Sequence, residues 1–189
     1  MAATKDFYWF GIKRLDIAAY PTAPNTTPTW VHVPSIEEAT LRSEISEVKA
    51  YGDGSAQYTF YHSPNMSAAV KLTKFSGLVA EMLSGNTAAT VSGNERLHIM
   101  TNHDMSPQQV MLRLTIPARD DDTGLPRDLT LIFFKVTARP IWDGFGGARE
   151  KATELNWTFD ALASTQDERG NPLPAGIEFA FGRYDFPVS

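Results

Sequence analysis

Two histidines, His98 and His103, are the first residues whose type suggests metal binding, and Asp104 follows the second of them. Their spacing places the two imidazoles on opposite faces of a strand, and a single carboxylate does not complete a ligand set. The run Asp120–Asp122 offers hard oxygen ligands, but it lacks the alternating ligands and the glycine of a calcium loop. The sequence therefore predicts ordinary histidines, a solvated acidic turn, and neither a metal site nor a cofactor.

Groups for phosphate binding, nucleophilic attack or acid–base catalysis are equally weak. The segment GFGGARE, residues 144–150, has no phosphate-loop sequence, and Ser76 lies near the start of a helical pattern rather than in a nucleophile elbow. Four acidic residues fall along one extended segment: Glu37, Glu38, Glu44 and Glu47. Such a series is more typical of a charged surface than of a catalytic pair, which needs two carboxyl groups in different environments. We therefore expect a protein that is not an enzyme.

The composition is that of an ordinary globular protein and bounds the kinds of partner. The 189 residues are 42% hydrophobic and 21% charged, which predicts one well-packed domain over residues 1–189. A formal net charge of −5 argues against a tight grip on nucleic acid. The chain has no cysteine, signal-peptide pattern or transmembrane stretch, so we expect synthesis in a reducing cytoplasm and no membrane partner.

Residues 37–62 predict a long β-hairpin that turns at Gly52-Asp53-Gly54. In its first half, Ala39, Leu41 and Ile45 alternate with a polar set. That polar set is Glu38, Thr40, Arg42, Glu44 and Ser46. The hairpin is thus expected to have one apolar face and one face rich in acidic residues, and a third strand over 66–73 is predicted to follow it.

A single helix is predicted over about residues 74–84, within KLTKFSGLVAEMLSGN. Thr73 is expected to cap its start, and Gly85 and Asn86 are expected to end it. Its apolar residues follow the spacing of one helical face: Phe75, Leu78, Val79, Met82 and Leu83. A helix this short is marginal alone, so it is expected to lie on the flank of the sheet.

The rest of the chain predicts further strands separated by loops. Alternation or aromatic composition indicates strands over 6–12, 109–117, 155–164 and 176–186, and residues 128–138 are apolar enough for a central strand covered on both faces. Four prolines make residues 18–35 an extended arm or a long loop, and 118–127 and 139–150 are also predicted loops. The predicted fold is mainly β, an antiparallel β-sandwich or barrel of about seven or eight strands with one short flanking helix.

Residues 37–90 resemble a known family. A long hairpin turning at YGDGS runs into AAVKLTKFSGLVAEMLSGN, a strand that passes into a short helix ending in leucine, one residue and glycine. This arrangement resembles the major tail tube proteins of long-tailed, siphovirus-type bacteriophages. LTLIFFKVTARP and ATELNWTFDALAST resemble later strands of those proteins, whereas the Pro-rich segment 18–35 is not part of the pattern.

The resemblance implies a structural virion protein, made in the host cytoplasm, that assembles into stacked hexameric rings. The long hairpins of six subunits would form a continuous barrel around a lumen through which double-stranded DNA passes transiently. Its further implied partners are the tape measure, terminator and tip proteins of the tail. On this basis, the candidate lumen-facing residues are Glu38, Arg42, Glu44 and Glu47. The three carboxylates would repel DNA, and the arginine would partly offset their negative charge.

Contacts between rings or subunits are expected from the loops 18–35, 118–127 and 139–150, with candidate residues Trp30, Asp121 and Trp142. Because Glu47 departs from the alternation of Glu38 and Glu44, it needs a bulge to share their face. A carbohydrate- or receptor-binding β-sandwich module is an alternative, with Trp30, Trp142 and Trp157 as candidate stacking platforms. The tube protein of a contractile injection system is a further alternative, since it shares the same kind of fold.

Overall fold

The structure is a computed structural model that describes residues 7–9, 11–52, 55–74, 76–84, 89–92, 95–97, 108–120, 124–139, 155–177 and 180–185. These residues form eleven β-strands and one α-helix. In chain order the elements are β1 (Phe7–Trp9), β2 (Arg14–Ala19), β3 (Val31–His32), β4 (Ile36–Gly52), β5 (Ser55–Leu72), α1 (Gly77–Ser84), β6 (Ala89–Ser92), β7 (Glu95–Leu97), β8 (Gln109–Asp120), β9 (Pro126–Ala138), β10 (Leu155–Ala161) and β11 (Gly182–Asp185).

Nine of these strands belong to one antiparallel sheet, which confirms the predicted mainly β, sandwich- or barrel-like class. The main path of the sheet is β3-β2-β8-β9-β10-β5-β4. β1 pairs with β8 beyond the end of β2, and β11 pairs with β9 beyond the end of β10. The predicted count of seven or eight strands is lower because the sequence pattern did not reveal β2, the short β3 or the separate hairpin of β6 and β7.

The main core cluster lies on one face of this sheet, and Met111 and Ile132 are buried on the other face. On β8 the alternating residues Val110, Leu112 and Leu114 are buried, as the sequence pattern predicts. They pair with apolar residues of β9 in a register that shifts once, between Val110 and Leu112. On β10, Trp157 and Phe159 join the same core with their rings edge to face, 6.2 Å apart.

The helix α1 begins later than predicted, at Gly77 instead of residue 74. The Ser76 hydroxyl oxygen accepts a 3.5 Å hydrogen bond from the Val79 N–H, so Ser76 rather than Thr73 is the capping residue. The N–H of Thr73 instead donates to the carbonyl of Ser35, which continues the sheet and delays the first helical turn. Val79, Ala80 and Leu83 face the core, whereas Leu78 is 51% exposed, so its predicted inward position is wrong.

The hairpin of β4 and β5 is longer than the sequence suggested. The predicted separate strand over 66–73 is the second half of β5, which runs unbroken for 18 residues from Ser55 to Leu72. Pro64 does not divide it because the pairing passes from Glu44 opposite Asn65 to Ser46 opposite His62, leaving Pro64 outside the register. A proline lacks the N–H of a ladder, so an irregularity is where a strand tolerates it.

Three other predicted boundaries also change. β8 extends to Asp120 and β9 begins at Pro126, so the loop predicted over 118–127 is much shorter. The last strand covers Gly182–Asp185 rather than 176–186, preceded by an isolated bridge between Ser164 and Ala180. The predicted loop 139–150 lies outside the described residues except for Arg139.

Candidate assembly surfaces

The hairpin of β4 and β5 divides into two parts with different surroundings. β10 pairs with β5 only from Met66 to Leu72, so the sheet has three adjacent strands there. Beyond that point, residues 44–52 and 55–65 pair only with each other among the described residues. This part, called here the distal ribbon, extends about 30 Å at the usual rise of a strand. In the described part of the chain, neither outer edge of these two strands has a partner strand over this distance.

The face of the hairpin opposite the core is polar where β10 flanks it. The register places Glu38 beside Lys71 and Asn156, and Arg42 beside Ser67 and Asp160. Lys71 Nζ lies 3.9 Å from a carboxylate oxygen of Glu37, and Arg139 Nε lies 3.4 Å from Asp160. The described part of this face therefore mixes both charge signs, whereas the sequence suggested a mainly acidic surface.

Glu38 and Glu44 are an even number of residues apart along β4, opposite Lys71 and Asn65 of β5, so they belong to one series of positions. Glu47, opposite Tyr61, is an odd number of residues from both. The shift between Glu44 and Ser46 adds one residue to β5, because Ser63 and Pro64 lie between Asn65 and His62 whereas Ile45 alone lies between Glu44 and Ser46. β4 therefore lacks the bulge that Glu47 needs, and the register places Glu38 and Glu44 in one series and Glu47 in the other.

Of the three predicted contact residues between rings, the structure describes one. Trp30 is half-buried, and the Arg113 guanidinium lies 4.4 Å from the centre of its ring. Asp121 and Trp142 lie outside the described residues. Trp30 is therefore part of an intramolecular contact, and no structural statement follows for the other two.

A buried ionic cluster that the sequence pattern did not reveal surrounds Asp16 on β2. The Asp16 side chain is fully buried, and its oxygens accept hydrogen bonds from Arg14 Nε at 2.7 Å and from Arg113 Nε and Nη2 at 3.1 and 2.8 Å. His32 on β3 lies beside it, with Nδ1 3.4 Å from Asp16 and 3.2 Å from the carbonyl oxygen of Leu15. These donors offset the cost of burying a carboxylate. The sequence signal is an aspartate placed between Leu15 and Ile17 in an otherwise apolar strand.

The irregular part of the Pro-rich segment, residues 20–30, packs against residues 164–171. It is called here the held loop, because it is attached to the domain and is not a free arm. The Thr26 N–H donates to the carbonyl of Arg169 at 2.9 Å, and Gln166 Nε2 donates to the carbonyl of Pro21 at 2.8 Å. The Tyr20 hydroxyl lies 3.1 Å from the hydroxyl of Ser164, which is itself buried. Residues 18 and 19 belong to β2, so the irregular part begins at Tyr20. The held loop is thus attached by individual hydrogen bonds of side chains and backbone groups, not by the regular hydrogen bonds of paired strands.

Within the described residues, no cluster of three or more potential metal ligands occurs, and no helix has the length and apolar character to cross a bilayer. Trp157, a candidate sugar platform in the sequence analysis, is 3% exposed and belongs to the core. A comparison with protein-family models found no match, and neither did a comparison with curated protein sequences.

Proposed function

We propose that this protein is a structural subunit of a bacteriophage tail tube, in which hexameric rings stack around a channel for DNA. The observation that supports this proposal most directly is the distal ribbon, whose two outer edges have no partner strand among the described residues beyond the end of β10. The resemblance of residues 37–90 to tail tube proteins of long-tailed phages gives the type of assembly.

The two edges of the sheet differ in a way that favours pairing between copies. At one edge, β3 has only two residues, whereas β4 at the other edge has 17. A long open edge is an aggregation hazard unless another strand covers it, and two strands alone are marginally stable in water. An edge of this length therefore favours a partner strand.

The position of β10 determines which strands of two copies are free to pair. Near the core, β5 already has β10 as its neighbour, so of the two hairpin strands β4 is the one with no second partner among the described strands there. In the distal ribbon, β4 of one copy has room to pair with β5 of the next copy. That contact is head-to-tail, and a head-to-tail contact closes into a ring when its rotation divides a full turn. Six ribbons joined in this way form a closed barrel with no open edges.

In such a barrel, the polar series that contains Glu38 and Arg42 faces the channel, because the opposite face of the hairpin continues the core face of the sheet. A channel wall with acidic and basic groups, rather than a basic wall, limits the counterion release that would hold DNA. Double-stranded DNA then passes through the channel without being bound tightly. The tape measure, terminator and tip proteins are the further partners in the proposed tail, and the proposed location of the protein is the virion.

Electron microscopy of negatively stained protein over a range of concentrations tests the proposal. We expect rings or tubes with sixfold symmetry and a central hole. Replacement of residues 45–64 by Asn-Gly, a sequence that favours tight hairpin turns, removes the distal ribbon and should abolish assembly while the thermal transition of the monomer remains cooperative. Ile177→Ser, which changes an exposed apolar residue away from the hairpin, is the matched control and should assemble normally.

Two results would contradict the proposal. Rings or tubes formed by the shortened variant would show that the distal ribbon does not join the subunits. Wild-type protein that remains monomeric at every concentration, with the ribbon protected from hydrogen exchange, would show that the ribbon needs no partner. The described residues favour no second function: Trp157 is buried in the core, and the half-buried Trp30 ring already holds the Arg113 guanidinium.

A further inference from the structure

An open depression of about 430 Å³ lies beside the buried Asp16, on the face of the sheet opposite the core. It is called here the Asp16 depression, and its lining residues are Lys13, Arg14, Asp16, His32, Arg113, Thr115 and Asp128. β2 and β8 supply most of these positions, and Asp16 is directly opposite both His32 and Arg113 in the sheet register. The depression is therefore built on paired strands rather than on a loop.

The charges of the Asp16 depression leave an excess of cationic groups. Asp16 is already held by Arg14 and Arg113, and Asp128 is held by Lys13 at 2.7 Å. These groups amount to three cations and two anions, before any charge on His32. The side chain of Arg14 is 50% exposed and uses Nε for Asp16, so its terminal nitrogens still carry donors.

The Arg113 guanidinium has a fixed orientation within the depression. Asp16 accepts two of its hydrogen bonds, and the ring of Trp30 covers it at 4.4 Å. A guanidinium held by a carboxylate and an aromatic ring loses little further conformational entropy when it binds another anion. Fixed donors together with a net positive charge are suited to a carboxylate ligand.

The chain itself contains a matching acidic segment, the run Asp120–Asp122 at the end of β8. We propose that the Asp16 depression of one subunit binds the acidic run Asp120–Asp122 of a second copy. This inference rests on the proposed assembly and specifies one contact between its subunits.

Asp120, the first residue of the acidic run, lies beyond the depression along β8. It is five residues from the lining residue Thr115, about 17 Å, and three residues from Pro117, which lies opposite the lining residue Asp128, about 10 Å. Because β8 runs away from the depression toward Asp120, we assign the ligand to another molecule. A contact that joins two different surfaces of identical subunits repeats along an open stack.

Fluorescence anisotropy with a labelled peptide of residues 117–127, PARDDDTGLPR, tests this contact on dilute full-length protein. We expect saturable binding that weakens with salt, and no binding of a peptide with asparagine at the three aspartates. Arg14→Gln should weaken peptide binding about tenfold or more because it removes a charge-assisted donor. Arg169→Gln is the matched control and should bind normally, because Arg169 is exposed and its known hydrogen bonds use only its backbone.

A charge exchange covers the case in which Arg14→Gln fails to fold. Lys13→Glu changes an exposed residue of the same depression, so it should weaken the aspartate peptide and bind a peptide with three lysines instead. Equal binding of the asparagine peptide, or binding unaffected by Arg14→Gln and Lys13→Glu, overturns the inference. Because the peptide is tested on monomers, ring or tube formation in the microscope remains a separate measure of the proposed function.

Discussion

In the part of the chain that the structure describes, the distal ribbon and the held loop are two long segments that leave the strands around the core, and they are stabilised in opposite ways. The distal ribbon is regular β-structure, yet in the described residues its strands pair only with each other. The held loop has no strand in residues 20–30, yet hydrogen bonds at Tyr20, Pro21 and Thr26 join it to residues 164–169.

This difference separates two properties that are often taken together. Regular hydrogen bonding within a segment does not attach that segment to the rest of the domain. An irregular segment is firmly attached when its polar groups find partners across the chain. We therefore expect the regular ribbon to need a partner subunit and the irregular loop to be complete in the monomer.

Hydrogen exchange of the free subunit should show the largest contrast between the two segments. We expect amides of the distal ribbon to exchange with little protection, because an isolated pair of strands opens readily. The amide of Thr26 in the held loop, which bonds to the carbonyl of Arg169, should exchange more slowly. Mass spectrometry of peptides from each segment measures both rates, with central β8 as the protected reference.

Assembly provides the control for this experiment. In rings or tubes, the ribbon should gain protection while the held loop changes little. A ribbon as protected as β8 in the monomer would contradict the view that it lacks support.

The sequence predicted the fold class and most of the core because these depend on local alternation. Val110, Leu112 and Leu114 have the period of a strand with one buried face, and the structure buries all three. The prolines of 18–35 indicated that no long strand runs through this range, in which only the end of β2 and the two-residue β3 are strands. They carry no information about the distant groups of residues 164–169 that hold the loop. For the same reason, the sequence did not distinguish an extended arm from a loop attached to the domain.

The Asp16 cluster was missed for a related reason. Its members are far apart in the chain, and strand pairing brings Asp16, His32 and Arg113 together. An isolated aspartate between two buried residues, as in RLDI, is a usable signal, because such a carboxylate needs cationic partners on neighbouring strands.

Substitution of Gly170 should give the next largest effect, on stability rather than exchange. Gly170 has a φ of +77°, and a Cβ there would lie 2.3 Å from the carbonyl oxygen of Ala23 in the held loop. Gly170→Ala should therefore lower the free energy of unfolding by about 1–3 kcal/mol, measured by urea denaturation of the monomer.

Gly176→Ala separates backbone strain from the close approach of the two segments. Gly176 has a φ of +90°, but a Cβ added to it would have no neighbouring atom within 4 Å, so only the cost of the backbone conformation applies. We expect a smaller loss of stability, about 1 kcal/mol. Equal losses at the two positions would mean that residue 170 does not lie against Ala23.

The smallest predicted effect concerns a single hydrogen bond between the held loop and its support. The Ser164 hydroxyl donates to the carbonyl of Gln166 at 2.7 Å, so the Tyr20 hydroxyl is the donor in their 3.1 Å contact. Tyr20→Phe keeps the ring, which has Lys135 Nζ 5.3 Å from its centre, and removes only this donor. We expect a loss of about 0.5–1.5 kcal/mol in the free energy of unfolding.

A double-mutant cycle with Ser164→Ala assigns that loss to the contact itself. Ser164→Ala alone should cost more than Tyr20→Phe, because it also leaves the backbone N–H and carbonyl of Gln166 without their hydroxyl partner. The double variant should lose less stability than the sum of the two single losses, since the same hydrogen bond is removed only once. Simple additivity would show that Tyr20 and Ser164 do not interact, and the loop would then depend on its backbone contacts at Pro21 and Thr26. A non-additive cycle would show that the held loop is attached within the monomer. Fast hydrogen exchange limited to the distal ribbon would then identify the ribbon as the part that needs a second subunit.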